Sequence, residues 1–250
     1  DLENERTAAA EDLVSYTLAK WNPETGVSEA FSEDITVSAA APADPEDGQY
    51  WHDTSSTPNV LKRWSETSGA WVPTPTTYVR ISAPGIGGGF SRYDGVKISG
   101  STNEYFNNTF IAWDVGENYI TVTGLISASF TQPGGLTVKR ETPDMDFIAE
   151  LDNRLWGCSS EKHEIYSCKL GDPFNWNAFE GISADSYAAT VGSDGAFTGA
   201  IAYMGYILFF KENIVHKVYG SKPANYQLTE TALPGVEKGS EKSLVIVGTT

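Results

Sequence analysis

The fold is decided by three stretches between residues 153 and 220: Asn153-Arg-Leu-Trp-Gly-Cys-Ser159, Glu164-Ile-Tyr-Ser-Cys-Lys-Leu-Gly-Asp-Pro-Phe-Asn-Trp-Asn177 and Tyr206-Ile-Leu-Phe-Phe-Lys-Glu-Asn-Ile-Val-His-Lys-Val-Tyr-Gly220. Their aromatic and β-branched residues favour strands. Gly-Asp-Pro and Glu-Asn favour tight turns between them. The spacing is typical of one β-propeller blade passing into the next, and it carries packing and turn residues without an assembled catalytic set.

Residues 141–250 are therefore predicted to form propeller-like blades. The run 201–210 is nearly all apolar and is broken by Gly205, so we expect an inner strand buried on both faces and its neighbour across a tight turn. Asn213 tolerates positive φ and predicts a second two-residue turn. The strands predicted here are Leu151–Cys158, Glu164–Lys169, Ala196–Tyr203, Tyr206–Lys211 and Ile214–Tyr219.

Residues 1–75 are predicted to form an N-terminal part with β-hairpins or propeller-like character. Trp21–Gly26 lines up with Trp64–Gly69, 43 residues further on, which lies within the range of blade repeats. A chance recurrence of hairpin chemistry explains this similarity equally well. We expect a loop or short helix over residues 1–20, with a strand starting at Val14, and a loop at Ala39–Asp47.

Residues 76–140 predict a small β-barrel or sandwich module inserted between the propeller-like parts. Pro84–Gly89 is expected to be a mobile loop and not a phosphate loop, because Phe90-Ser91 follows where Lys-Ser or Lys-Thr is needed. The predicted strands of this module are Thr77–Ile81, Asp94–Gly100, Phe110–Trp113, Asn118–Thr123 and Gly134–Lys139.

The 250-residue chain is acidic, with 33 Asp and Glu against 17 Lys and Arg and a formal charge of −16. Such a chain repels nucleic acid and anionic lipid, so we predict neither a direct grip on nucleic acid nor a membrane partner. The charge allows an acidic passage through which DNA slides, although solubility alone also accounts for it. The chain starts at Asp1 and stops at Thr250, just after the strand-like Leu244–Gly248, so we expect a piece of a longer polypeptide.

Residue types that perform chemistry are present but scattered. Cys158, His163 and Cys168 lie at intervals of five, too wide for a zinc knuckle unless a hairpin brings them together, and whether the two cysteines pair stays open; we expect two reduced, packing thiols. Ser193-Asp194-Gly195 loosely resembles the Asp-box turn of sialidases, but its spacing is short by one, so we interpret it as a turn capped by Ser and Asp. We predict no catalytic, cofactor-binding or metal-binding residues and no cofactor.

Two further groups of residues are interpreted as structural. Asp172 is expected to accept backbone hydrogen bonds in its Gly-Asp-Pro turn. Trp156, Phe174 and Trp176 are expected to pack between blades. The other carboxylates among the turns are Asp144, Asp146, Asp152 and Asp185, and sequence alone leaves their spacing in space open.

The stretches within residues 145–220 resemble structural proteins of tailed bacteriophages and prophages that form propeller-like parts of the tail or neck. Residues 91–123 are more weakly similar to small β modules of phage tail and connector proteins. The resemblance implies a virion component made in the host cytoplasm, without enzymatic activity, packed as a homo-oligomer or ring with other virion proteins. It transfers no functional residues, because the shared positions are architectural.

Two alternatives stay open. The first is a receptor- or glycan-binding module of a tail fibre or cell-surface protein, to which the turn-proximal Trp51, Trp64 and Trp71 would contribute. The second is a propeller-type glycosidase, which needs carboxylates gathered with an Arg or Tyr in one pocket.

Overall fold

The structure is a computed structural model that describes residues 3–74 and 76–247. It is all-β, with only short 3₁₀ helices at Glu104–Phe106, Pro223–Asn225 and Glu241–Ser243 in the described part of the chain. The predicted all-β class with partial propeller-like blades is confirmed. The described residues divide into two compact units, one from residues 3–92 and 96–140 and the other from 93–95 and 141–247.

The first unit contains three sheets. A six-stranded sheet, curled as a half-barrel, has the order β11-β12-β8-β2-β13, with β3 also paired to β2. The second sheet has the order β1-β14-β9-β10, and the third has the order β4-β5-β6-β7, in which β4 and β5 run parallel. The strands are β1 Glu5–Thr7, β2 Leu13–Asn22, β3 Val27–Ala30, β4 Ile35–Ser38, β5 Tyr50–Asp53, β6 Val60–Ser65, β7 Ala70–Pro73, β8 Tyr78–Ser82, β9 Gly95–Ser99, β10 Thr109–Ile111, β11 Asp114–Gly116, β12 Tyr119–Thr123, β13 Phe130–Pro133 and β14 Thr137–Arg140.

Alternating apolar residues of these strands build one core. Tyr16, Ile81, Ile120 and Phe106 are almost fully buried in it. Tyr16 brings a hydroxyl into this core, and the hydroxyl donates to Oγ of Ser101 at 2.8 Å. The buried polar atom is therefore satisfied, as a close-packed interior requires.

The second unit consists of two four-stranded antiparallel meanders, β15 to β18 and β19 to β22, which resemble consecutive propeller blades. A shared apolar core lies between them and includes Trp156 and Ile165 from the first blade and Ile207 and Phe209 from the second. The strands are β15 Phe147–Leu151, β16 Arg154–Ser159, β17 Glu164–Ser167, β18 Tyr187–Thr190, β19 Gly199–Tyr203, β20 Tyr206–Phe210, β21 Ile214–Tyr219 and β22 Gln227–Ala232.

Tight two-residue turns set the hairpin register of both blades. Asp152 and Asn153 have φ of 53° and 59°, and Met204 and Gly205 have φ of 47° and 80°. Positive φ at both central residues is the signature of the type I′ turn, whose twist matches that of the flanking strands. The turn predicted at Gly205 is thus present. The single strand predicted at Leu151–Cys158 is wrong, because the Asp152-Asn153 turn divides it between β15 and β16.

Four other local predictions are corrected. Residues 5–20 hold the exposed β1 and most of β2 and no helix, because alternating residues of β2 enter the core; the strand predicted to start at Val14 starts at Leu13. Asn213 does not adopt positive φ. The run 201–210 contains no strand buried on both faces, because β19 is half-buried apart from Gly199, and in β20 the buried Ile207 and Phe209 alternate with half-buried neighbours. Leu244–Val247 form no strand, and Gly248 lies outside the described residues.

The loop predicted as mobile at Pro84–Gly89 is a tightly packed series of turns. Ile86 is 1% exposed, and Nδ2 of Asn4 donates to the carbonyl oxygen of Gly88 at 3.0 Å. At Gly87 an added Cβ would lie 1.9 Å from the carbonyl oxygen of Gly116. The glycines therefore allow close backbone approach.

The three-part division at residues 75 and 140 stays a prediction. Asp1, Leu2 and Pro75 lie outside the described residues. Around the first of these boundaries, β2 pairs with β8 and with β13, so the six-stranded sheet takes strands from both sides of residue 75.

Candidate functional site

The closest approach to a catalytic arrangement is a buried polar cluster in the second blade. Ser193, in the connection between β18 and β19, places its Oγ 2.7 Å from Nε2 of His216 in β21. Ser193 is 8% exposed and His216 is 1% exposed. Burial is the main cause that lowers the pKa of His216, and the lowered pKa favours a neutral ring.

A buried lysine completes this cluster. Nζ of Lys211 donates to the carbonyl oxygens of Ser193 at 2.6 Å and Asp194 at 3.4 Å, and it lies 4.8 Å from the ring centroid of Phe197. Lys211 is 2% exposed, and burial lowers its pKa. Its ammonium therefore fixes the backbone of residues 193–194 to the blade, and we call this group the Ser193–His216 clasp.

The clasp has the residue types of a Ser-His-acid triad but not its geometry. Oε2 of Glu230 lies 3.8 Å from Nδ1 of His216, beyond hydrogen-bonding distance, and Glu230 is half exposed. A nucleophilic serine also needs open space where a substrate carbonyl can sit. Because Ser193 and His216 are both buried, we interpret the clasp as a support for the loop. Ser193 thus bonds a histidine instead of capping the turn amides as predicted.

Cys158, His163 and Cys168, which were considered as a metal-binding group and not predicted to be one, are not brought together. Cys158 and Cys168 are buried free thiols that belong to different apolar clusters, and His163 is an exposed turn residue with φ of 53°. Burial raises the pKa of Cys158 to about 12. Across residues 3–74 and 76–247, no group of three or more His, Cys, Asp or Glu side chains is arranged to hold a metal ion.

Four of the five carboxylates considered for glycoside hydrolysis serve separate turns. Oδ1 of Asp172 accepts from the backbone N–H of Phe174 at 3.1 Å, as predicted. Oδ2 of Asp146 accepts from the N–H of Ser160 at 2.6 Å, and Oδ2 of Asp185 accepts from the N–H of Ile182 at 3.0 Å. Asp152 lies within the β15–β16 turn. Each observed bond stabilises local backbone geometry.

The tryptophans predicted as packing residues and as glycan contacts differ in exposure. Trp156 is buried in the core shared by the two blades, whereas Trp176 is buried in a separate cluster with Tyr166 and Cys168, and Phe174 is half-buried. Trp51 is also buried, whereas Trp64 and Trp71 are half-buried. The Trp71 ring lies 5.4 Å from Trp51 and 5.5 Å from Trp64, measured between ring centroids. The three rings therefore bury part of their surface against one another.

A second buried polar network, in the first unit, was not anticipated from the sequence. Oδ2 of Asp114 accepts from the N–H of Ser28 at 2.8 Å and from its Oγ at 2.7 Å. The guanidinium of Arg80 donates to Ser28, lies 3.6 Å from Asp114 and covers the ring of Tyr119 at 4.1 Å. These residues lie on four different strands. The sequence therefore showed only how polar and apolar residues alternate along each strand, and not that these four side chains meet.

The described residues contain no helix that is long enough and apolar enough to cross a membrane. Neither a protein-family model nor a curated protein sequence matches the chain.

Proposed function

We propose that the protein is a structural component of a phage virion, in the tail or neck, that acts by assembly and not by catalysis. The observation that carries this proposal is the resemblance of residues 145–220 to phage structural proteins. Its support in the fold is that those residues form two consecutive blade-like sheets around a shared core. Their conspicuous side chains, Trp156, Asp172 and Trp176, serve packing and turns.

A half-exposed aromatic face on the second blade also supports an assembly role. Tyr203 pairs across the strands with Tyr206, and Tyr206 pairs with Tyr219, so the three side chains lie on one face of the sheet. Tyr219 is 39% exposed. Nζ of Lys217 lies 3.9 Å from the ring centroid of Tyr206. Tyrosine is enriched in the cores of protein interfaces.

The formal charge of −16 fits a component that DNA passes without adhering. The partners in this proposal are other virion proteins and further copies of the chain. Receptor or glycan binding through Trp51, Trp64 and Trp71 has less support, because Trp51 is buried, and the glycosidase alternative has less support, because the carboxylates serve separate turns.

The experiment has two measurements. Mass spectrometry of purified particles from a phage that encodes the chain should find it in stoichiometric amounts, and light scattering of the isolated chain should give an oligomer. Tyr219→Glu should shift the oligomer toward monomer, whereas Val37→Glu, at a 43% exposed position of β4, should not. A monomeric chain that is absent from particles would exclude the proposal.

A further inference from the structure

A cleft of about 640 Å³ opens within the first unit, and we call it the Trp21 cleft. Its lining comes from the end of β2, from β5, β6 and β7, and from the start of β8. This volume lies in the range of small-molecule sites. The cleft is separate from both polar networks described above, and neither the predicted fold nor the proposed assembly role requires it.

Aromatic side chains supply much of the wall. Trp21, Phe31, Tyr50 and Tyr78 all line the cleft. The rings of Phe31 and Tyr50 meet edge to face with centroids 4.8 Å apart. Trp21 is fixed by its edge-on contact with Trp113 at 5.7 Å and by the guanidinium of Arg92, which lies 4.4 Å from its ring centroid, so at most one face of the Trp21 ring is left for a ligand. Rings held in this way offer a stacking surface without a further loss of rotamer freedom on binding.

The charge of the lining is opposite to that of the chain. Lys20 and Arg63 line the cleft, and its described lining includes no Asp or Glu. This composition is unusual for a protein with 33 acidic and 17 basic residues. The positive charge of Lys20 is balanced by an ion pair, because its Nζ lies 2.9 Å from Oε1 of Glu33. The net charge that the lining offers a ligand therefore comes from Arg63.

Arg63 is the unused group of the cleft. Across residues 3–74 and 76–247 its guanidinium makes no hydrogen bond and no ion pair, and the residue is exposed. A guanidinium presents a planar fork of donors that matches a carboxylate bidentately. The hydroxyl groups of Ser65 and Thr77 also lie in the lining. A ligand that carries one anionic group, an apolar ring face and several hydroxyl groups would satisfy these features together.

We propose that the Trp21 cleft binds a carboxylate-bearing sugar, such as a uronic acid unit of a polysaccharide. Arg63 holds the carboxylate, Trp21 and Tyr50 contact the ring face, and the hydroxyls of the lining bond those of the sugar. Single-stranded nucleic acid also combines stacking with negative charge, but its recognition needs a positively charged groove along several phosphates. One free arginine in a chain of charge −16 favours the sugar.

The test is titration of the full chain, followed by tryptophan fluorescence and calorimetry, with three probes: a tri-galacturonate, the matching neutral tri-galactose and an oligothymidylate of eight nucleotides. We expect saturable binding of the acidic sugar. The neutral sugar should bind at least about 10-fold more weakly, because it lacks the one charge-assisted pair with Arg63, which contributes about that factor to the affinity. No binding of the acidic sugar up to about 10 mM, equal binding of both sugars, or tighter binding of the oligothymidylate would each overturn the proposal.

Point variants test whether the acidic sugar binds in the Trp21 cleft. Arg63→Gln should weaken acidic-sugar binding roughly 10-fold and leave neutral-sugar binding unchanged. Val72→Glu, at a 44% exposed position of the lining, should weaken it similarly by adding a repelling carboxylate. The matched control is Lys97→Gln, which removes one exposed positive charge from β9 outside the lining. Equal losses in the Arg63 and Lys97 variants would show that only net charge matters and would overturn the proposal. Particle incorporation is a separate measurement, so this result is independent of the assembly role.

Discussion

Arg154 donates from Nη1 to the carbonyl oxygen of Cys168 at 2.7 Å. The same guanidinium donates to the carbonyl oxygens of Asp185 and Ser183, and Arg154 is only 3% exposed. One side chain from β16 thus holds both ends of the segment 168–186 through backbone acceptors. The fork of a guanidinium can reach several acceptors at once, which an ammonium on a flexible stem cannot reproduce.

Arg154→Lys should therefore loosen the segment 168–186 without removing the charge. We expect a loss of about 2 kcal/mol in the free energy of unfolding, because buried carbonyl groups lose their donors. Limited proteolysis should show faster cleavage inside the segment. Arg63→Lys is the matched control, since the guanidinium of Arg63 makes no hydrogen bond within the described residues, and it should leave both measurements unchanged. Equal proteolysis of the two variants would contradict the role of Arg154.

Phe209→Ala should destabilise the blade pair strongly. Phe209 is fully buried in the core between the blades, so truncation leaves a cavity and should cost about 3–5 kcal/mol in urea unfolding. The same substitution at Phe179, which is 58% exposed, should cost less than about 0.5 kcal/mol. Comparable losses at both positions would mean that the two sheets do not share this core.

The sequence predicted features that depend on neighbouring residues better than those that depend on distant ones. The Asp172 turn and the hairpin at Gly205 follow from local backbone preferences. The Asp152-Asn153 turn had a local signal too, since both residue types tolerate positive φ, but one strand was predicted to run through it from Leu151 to Cys158.

Contacts between distant residues gave no such signal. Ser28 and Asp114 are 86 residues apart, and Arg154 and Asp185 are 31 apart. The clasp joins Ser193 to His216, which lies 23 positions further along the chain. Pairing of this kind is set by sheet order and register, which a single sequence specifies only weakly.

Gly87→Ala should disrupt the first unit. The added methyl group would overlap the carbonyl oxygen of Gly116 at 1.9 Å and approach that of Tyr119 at 2.6 Å, and both acceptors are backbone atoms that cannot move independently. We expect a cost of about 3 kcal/mol or more, measured by urea unfolding and by soluble yield. Gly192→Ala adds the same methyl group where no atom lies within 4 Å, so it should be tolerated. Equal stability of the two variants would show that the Pro84–Gly89 loop rearranges freely.

The buried His216 should make the protein less stable as the pH falls. Burial lowers its pKa in the folded state, with Lys211 acting in the same direction and Glu230 opposing them. The unfolded chain, whose histidine titrates near about 6.5, therefore takes up the proton first. The contribution of His216 to stability is fully present above that value and is lost as the pH falls toward the folded pKa.

Unfolding free energies at about pH 7.5 and about pH 5.5 should differ less in His216→Gln than in the wild type. His163→Asn, at an exposed turn position where Asn tolerates the positive φ, should keep the wild-type difference. If the difference in unfolding free energy between the two pH values were as large in His216→Gln as in the wild type, other groups would cause the pH dependence. The next residue to replace would be His52, which is also buried and whose pKa is also lowered mainly by burial.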